Sequence, residues 1–314
     1  MAVTDTKLTV AVLMGGISEE RDISIQSGNC VARALEEAGL DVVAGDIQPT
    51  RLDILDSEDI DVFFLALHGR FGEDGELQQI LEEKSLCYTG SGPEASRLAF
   101  DKLASKKRFA DAGVATPKAI AFDGRAKATE LQERLAQLAK RFVIKPVRQG
   151  STIGVTMADD PRSALTAAHA CSQEFGDCMI EQYIAGREIT VGILEDRALP
   201  IIEIRPKTGF YDYHAKYFDE ETEFLFDTID PALGADIQAQ ALRCFNALGL
   251  RHFARIDFIL GDDGRAYVLE ANTIPGLTAH SLVPKAAARM GLSMSDLCVK
   301  IVQAAHSSLV KRST

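Results

Sequence analysis

The stretch RIDFILGDDGRAYVLEANTIPG, Arg255 to Gly276, is constrained to pair with itself. Two runs of apolar, β-favouring residues flank Asp263-Gly264, a dipeptide suited to the positive φ values of a tight hairpin turn. Side chains alternate along a strand, so the loop length decides which residues share a face. A two-residue loop sets Asp257 opposite Glu270 and Arg255 opposite Asn272, all four on one face. Ile256, Phe258, Leu260, Tyr267, Leu269 and Ala271 then take the other face. A four-residue loop gives the same pairing, whereas an odd loop breaks it. Opposed carboxylates with Cβ atoms ~5 Å apart repel each other. Such a face requires a shared proton, a bound cation or water.

The first third of the chain has a different grammar. TVAVLMGG, DVVAGDI, VFFLALHG and LCYTGSG read as strands. A helix over about Ile23–Ala38, stopped by Gly39, and another near Gly75–Lys84 fall between them. This alternation predicts a parallel sheet with helices on both faces and ligands beyond the strands' carboxyl ends. A helix over Glu94–Ala112 opens the next unit, which continues through PKAIAF, a helix over Lys127–Arg141, FVIKP, a helix over Pro161–Phe175 and CMIEQYI. The last third is richer in strands and closes on an amphipathic helix, Ser295–Leu309. With 314 residues the chain is too long for one small core. The expected fold is α/β, in units of 1–98, 99–184 and 185–314.

A net charge of −12 opposes nucleic-acid or anionic-membrane partners, so any anion site must be a local cluster of cations. The six cysteines show no metal-ligand spacing and read as reduced thiols, in keeping with a cytoplasmic location. No apolar run approaches the ~18 residues of a membrane span.

Several segments carry candidate chemistry. VIKPVRQGSTIG sets Lys145 at a strand end before a donor-rich glycine loop containing Arg148 and Ser151. It suits phosphate, although a plain polar hairpin loop fits equally well. TGSGPEA matches a loose dinucleotide pattern but reads better as a tight strand-to-helix turn. Glu20 stands where an acid ordinarily complements a helix dipole. His68, at a strand end, reads first as a structural hydrogen-bonding residue. The aromatic-rich loop 207–230 reads as a lid. On the hairpin face, two carboxylates and an amide suit a hard divalent cation bridging to phosphate. A solvated sheet face and a glycosidase acid pair are the alternatives.

Together GGISEERDIS, LHGRFGEDGELQ, YTGSG, DKLASK, VIKPVRQGSTIGV, EQYIAGREITV, YDYHAKY, RIDFIL and LEANTIPGLTAHSLVP resemble the D-alanine–D-alanine ligases of the ATP-grasp superfamily. The resemblance spans almost the whole chain and implies a three-domain ATP-grasp architecture with an N-terminal parallel-sheet domain. It implies an ATP-dependent ligase acting through a D-alanyl phosphate in peptidoglycan precursor synthesis, with D-alanine and ATP as small-molecule partners, as a homodimer. Carried over by residue, Lys102 and Lys145 bind ATP phosphates. Glu181, Gln182, Tyr183, Ile184 and Glu188 line the adenine and ribose pocket. Asp257, Glu270 and Asn272 hold two Mg²⁺ ions, with Mn²⁺ as a substitute. Glu20 takes the first substrate's ammonium beside His68, and Arg255 with the Gly276 N–H polarises its carboxylate. Lys216, Ser281 and the Leu282 N–H hold the second carboxylate, and Tyr217, Ser151 and Glu20 tie the lid to the site. Three places depart from the family: Phe71 where glycine is common, Ile274 where a small residue precedes the proline, and FLFDTIDPAL after the lid. Another carboxylate–amine ligase and an inactive nucleotide-binding relative are the rival expectations.

Overall fold

The computed structural model describes residues 7–124, 128–207 and 221–312. The N-terminal unit is a parallel sheet. Strand β1 (Thr9–Gly15) lies between β2 (Asp41–Ile47) and β3 (Val62–Leu65), with α1 (Arg21–Glu37) crossing over between the first two. Even-numbered β1 residues Val10 and Val12 pack with Val31 and Leu35 of α1. Odd-numbered Ala11 and Leu13 pack on the opposite face with Leu77 and Leu81 of α2 (Glu76–Glu83). Helices therefore cover both faces, as the alternation requires. The expected fourth strand reduces to a single parallel bridge, Phe63–Tyr88, before Gly90 turns the chain away.

The helix expected over Glu94–Ala112 is two helices. α3 (Pro93–Phe100) ends at Asp101, whose extended backbone starts α4 (Lys102–Asp111). The Asp101 carboxylate accepts from the Ala104 N–H at 3.0 Å, capping the second helix. This is a correction with a plain cause: an acid inside an apolar periodic pattern serves here as an N-cap.

The central unit is the antiparallel sheet β4-β7-β5-β6, with β4 (Ala119–Phe122), β5 (Phe142–Pro146), β6 (Thr156–Ala158) and β7 (Cys178–Gln182). Helices α5 (Ala128–Leu138) and α6 (Pro161–Phe175) contribute to its core. Asp160 caps α6 by accepting from the Arg162 and Ser163 N–H groups, with Pro161 at the first turn.

The last unit is a second antiparallel sheet. It comprises β8 (Gly186–Leu194), β9 (Arg197–Ala198), β10 (Ile202–Arg205), β11 (Glu223–Leu225), β12 (Phe253–Gly261) and β13 (Ala266–Asn272). Helix α7 (Pro231–Ala247) covers it, and α3 and α4 pack on β13. Helices α8 (Leu282–Arg289), which the sequence pattern did not reveal, and α9 (Met294–Arg312) follow. Both pack into the core that contains Val10, Val12, Val31 and Leu35. The six cysteines are unpaired.

The β12–β13 hairpin corrects its own derivation. Gly261 donates to the Arg265 carbonyl at 2.8 Å, which closes a three-residue loop with Gly264 at φ 78°. An odd loop should have broken the pairing of the acids. It does not, because the register shifts again between Asp257 and Phe258: Phe258 pairs with Val268, and Asp257 pairs with Glu270. Leu269 is the extra residue of a β-bulge. The two offsets cancel, and Arg255 faces Asn272 as expected. Between loop and bulge the faces differ from expectation. Val268 enters the core with Phe258 and Leu260, while the Tyr267 hydroxyl donates to Asp263 at 2.7 Å.

Phe71 has a φ of 72°, the left-handed conformation that glycine adopts most readily. Its ring is fully buried against Leu67, Leu77 and Ile274. Backbone strain of ~1–3 kcal/mol competes with burial worth ~3–5 kcal/mol for a phenylalanine. We therefore expect Phe71→Gly to destabilise the protein, lowering its urea midpoint. A midpoint that rises would show that strain outweighs burial.

Candidate active site

Two cavities meet where the three units converge. The first, of about 230 Å³, is lined by Glu20, His68, Glu73, Ser151, Arg255, Asn272, Gly276, Ser281 and Leu282, among others. The second, of about 430 Å³, is lined by Lys145, Glu181, Gln182, Tyr183, Ile184, Glu188, Glu203 and Asp257, among others. Lys102, Gln149, Gly150 and Glu270 line both. Lys216 and Tyr217 lie outside the described residues, as does most of the expected lid. Apart from Arg148, every other residue singled out from the sequence for a catalytic, binding or metal role lies on one of the two walls.

The hairpin acids sit at the junction, and each has a cation. Arg255 forks onto Asp257, with Nε and Nη2 at 2.8 and 2.7 Å from its two oxygens. Thr190 on β8 donates to the same carboxylate at 2.6 Å. Glu270 lies 3.2 Å from Lys102 Nζ. Lys102 also donates to the Gln149 carbonyl at 2.6 Å, which fixes the glycine loop above the acids. The Asn272 amide oxygen accepts from the Ile274 N–H at 3.0 Å. That bond sets the turn that carries Gly276 into the first cavity.

Glu20 begins α1 but makes no side-chain cap. Its carboxylate instead accepts from the Ser151 hydroxyl, across from the N-terminal unit to the central loop. The helix-dipole explanation therefore gives way to a contact between units. A Cβ at Gly150 would come within 2.9 Å of Glu20 Oε2, so a larger residue there would displace the buried Glu20 carboxylate. Ser151 and Thr152 hold φ values of 52° and 63°, a strained path that directs the Ser151 hydroxyl at Glu20. His68 Nε2 lies 3.2 Å from the Ser27 hydroxyl. Burial pushes its pKa below the usual imidazole value, only partly opposed by Glu20, so the ring is neutral at pH 7.

Arg148 departs from the cation cluster expected of it. It pairs with Asp101 at 2.6 Å and Asp177 at 3.4 Å and is more than half exposed. The α4 cap Asp101 and the exposed Asp177 draw it away from the cavities. The dinucleotide-like TGSGPEA is a tight turn into α3, in line with its plainer reading.

Two wall residues escaped the sequence reading. Glu203 on β10 is buried and receives Arg187 and Arg205, each at 2.8 Å. It is an acid inside the apolar run IIEIR, the same signal that exposed Asp257. Glu73, in the polar-looking GEDG, offered no such signal. One of its oxygens accepts from the Gly69 N–H at 2.7 Å, and Oε1 is buried without a hydrogen-bond partner among the described residues. Burial first, and the Glu20 charge second, push its carboxyl well above the usual glutamate range.

The comparisons with known proteins bear on this geometry. A family model described as D-ala D-ala ligase C-terminus matches residues 109–303, and one described as D-ala D-ala ligase N-terminus matches residues 50–91. The chain belongs to the D-alanine–D-alanine ligase family. It is 42% identical to the D-alanine–D-alanine ligase of Syntrophotalea carbinolica over 94% of this chain and 95% of that one. The ligase of Bordetella petrii is 43% identical over 94% and 91%. Among solved structures, D-alanine–D-alanine ligase from Bacillus anthracis complexed with ATP superposes with a TM-score of 0.85 at 32% identity, covering 98% and 99% of the two chains. The VanG D-Ala:D-Ser ligase from Enterococcus faecalis gives 0.83 at 27%, covering 95% and 99%. The fold is thus the ATP-grasp fold expected from the motifs.

Glu73 generates a prediction. A carboxyl whose folded pKa is raised binds its proton more tightly in the native state. Stability therefore falls as pH rises above ~4.3, the ordinary glutamate value. Glu73→Gln removes this penalty. We expect the mutant's melting temperature to gain on wild type progressively from pH 5 towards pH 8. A gap independent of pH would refute the raised pKa.

Proposed function

We propose that the chain is an ATP-dependent ligase that joins two D-alanines through a D-alanyl phosphate, yielding D-Ala-D-Ala, ADP and phosphate for peptidoglycan precursor synthesis. The observation that carries this reading is the meeting of an apolar-walled cavity with a polar one at Lys102, Gly150 and Glu270. A phosphoryl group at that junction touches both compartments.

In this reading the larger cavity takes ATP, with Glu181 to Ile184 and Glu188 around adenine and ribose and Lys102 and Lys145 on the phosphates. Glu20 takes the ammonium of the first D-alanine. Beside it stand His68, neutral at pH 7, and Glu73, whose carboxyl burial pushes well above the usual glutamate range. The substrate carboxylate oxygen attacks the γ-phosphorus and ADP departs. The amine of the second D-alanine then attacks the acyl carbon, forming the C–N bond as phosphate leaves. Arg255, held flat by Asp257, and the Gly276 N–H donate to the developing oxyanion. Ser281, the Leu282 N–H and Lys216 receive the second carboxylate. Ser151, bonded to Glu20, closes the glycine loop over the phosphates and excludes water from the acyl phosphate, with Tyr217 completing the link.

Among the described residues no group of three or more His, Cys, Asp or Glu side chains is placed to cage a metal. Two carboxylates and an amide oxygen at the phosphate junction nevertheless suit Mg²⁺, which commonly takes one or two carboxylates and completes its shell with phosphates and water. We assign two Mg²⁺ ions, replaceable by Mn²⁺, to Asp257, Glu270 and Asn272. When bound they neutralise charge on the transferred phosphoryl group. We also propose units of 1–98, 99–184 and 185–314, supported by the three sheets, and a cytoplasmic homodimer. Among the described residues no helix is long and apolar enough to cross a membrane.

Phosphate release with ATP and Mg²⁺ tests the function. Release dependent on D-alanine, with L-alanine inert, supports it. Release only with D-serine or another amine indicates a sister ligase such as the D-Ala:D-Ser enzyme it resembles, and no release indicates an inactive relative. For the metal site, we expect Asp257→Asn to lower kcat by about 10²-fold or more with an unchanged circular dichroism spectrum. Near-normal turnover would refute the assignment.

A further inference from the structure

Behind the larger cavity three buried charges meet: Lys106 on α4, Glu181 on β7 and Lys145 on β5. Glu181 Oε2 lies 2.6 Å from Lys145 Nζ, and Oε1 accepts from Lys106 Nζ. Lys106 also donates to the Thr116 hydroxyl at 2.6 Å, and Thr116 donates to the Val268 carbonyl at 2.8 Å. Lys145 and Glu181 face the cavity, whereas Lys106 stands behind its wall. The helix carrying Lys106 packs on β13, the strand of Glu270, while Lys145 and Glu181 belong to the central sheet. A continuous polar chain therefore runs from β13 through Lys106 to the ammonium of Lys145.

A carboxylate this deeply buried adopts one position only if both oxygens are satisfied, and removing one partner leaves it uncompensated. Two cations on one carboxylate also leave a surplus positive charge beside the cavity, which suits an anionic ligand. Burial, opposed by Glu181 and reinforced by Lys145, lowers the Lys106 pKa to about 8, so its hold on Glu181 costs desolvation that a merely convenient surface pair would not.

We propose that Lys106 is a positioning residue for nucleotide binding: it fixes Glu181, and through Glu181 the Lys145 ammonium, relative to the strand that carries Glu270. The proposal rests on reading the larger cavity as the ATP site, and Lys145→Met, measured in parallel, tests that reading separately.

The experiment is isothermal titration of the full-length protein with ATP and Mg²⁺, together with steady-state KM values for ATP and D-alanine. We expect Lys106→Met to weaken ATP about tenfold, which corresponds to ~1.4 kcal/mol, with KM for D-alanine within about twofold of wild type. Thr116→Val, which keeps the lysine but removes its anchor, weakens ATP in the same direction by a smaller factor. A folded Lys106→Met with unchanged ATP affinity, while Lys145→Met weakens it, overturns the proposal. Equal losses for both substrates also overturn it, since a general loosening of the fold does that. If Lys106→Met does not fold, Thr116→Val decides, and unchanged ATP affinity refutes the role. ATP affinity unaltered by Lys145→Met removes the nucleotide-site reading and the proposal with it.

Discussion

Two carboxylates opposed across a hairpin repel. At about 4 Å and an effective dielectric of 20 the repulsion is of order 4 kcal/mol, more than a cross-strand pair ordinarily returns. Asp257 and Glu270 are tolerable because a cation from a different direction meets each: Arg255 from the same strand, and Lys102 from the first turn of α4. Much of the site follows from that requirement. Lys102 reaches Glu270 only if α4 begins at Asp101, which explains why an otherwise continuous helix breaks there. Lys102 then binds the Gln149 carbonyl, and its own N–H donates to the Val147 carbonyl at 3.1 Å. The glycine loop is thereby anchored above the acids it serves.

The smaller cavity shows the opposite handling of charge. Glu20 and Glu73 are both buried there with His68, and no lysine approaches Glu73 among the contacts described. Asp257 and Glu270 each meet a cation at close range, whereas burial pushes the Glu73 carboxyl well above the usual glutamate range, a difference set by surroundings that the residue type does not reveal.

The sequence made some of this legible and hid the rest for definite reasons. Strand and helix alternation in the first third follows from periodicity, and the structure reproduces it. Asp257 faces Glu270 as the hairpin pattern predicts, but by a different route: the loop has three residues, and the Leu269 bulge restores the register. Bulges leave no mark in a pattern of apolar residues. Arg148 misled because composition counts a cation without showing that Asp101 and Asp177 compete for it. Glu203 was readable by the same logic as Asp257. Glu73 and Lys106 were not, since a GEDG loop and a lysine in a helix are unremarkable until folding buries them.

The core beneath the N-terminal sheet is not built from the N-terminal sequence alone. Val283, Ala286, Leu297, Ile301 and Val302, from the last two helices, pack into it beside Val10, Val12 and Val31. The two ends of the chain therefore close on each other and form one frame, with the central sheet inserted between them. Exchange of the first hundred residues between relatives would expose or overfill this shared core unless the last thirty, and Leu194, Ile202, Ile204 and Phe253 of the third sheet, went with them. What must be inherited together is therefore set by this buried contact and not by position along the chain, since residues from opposite ends must fit one another.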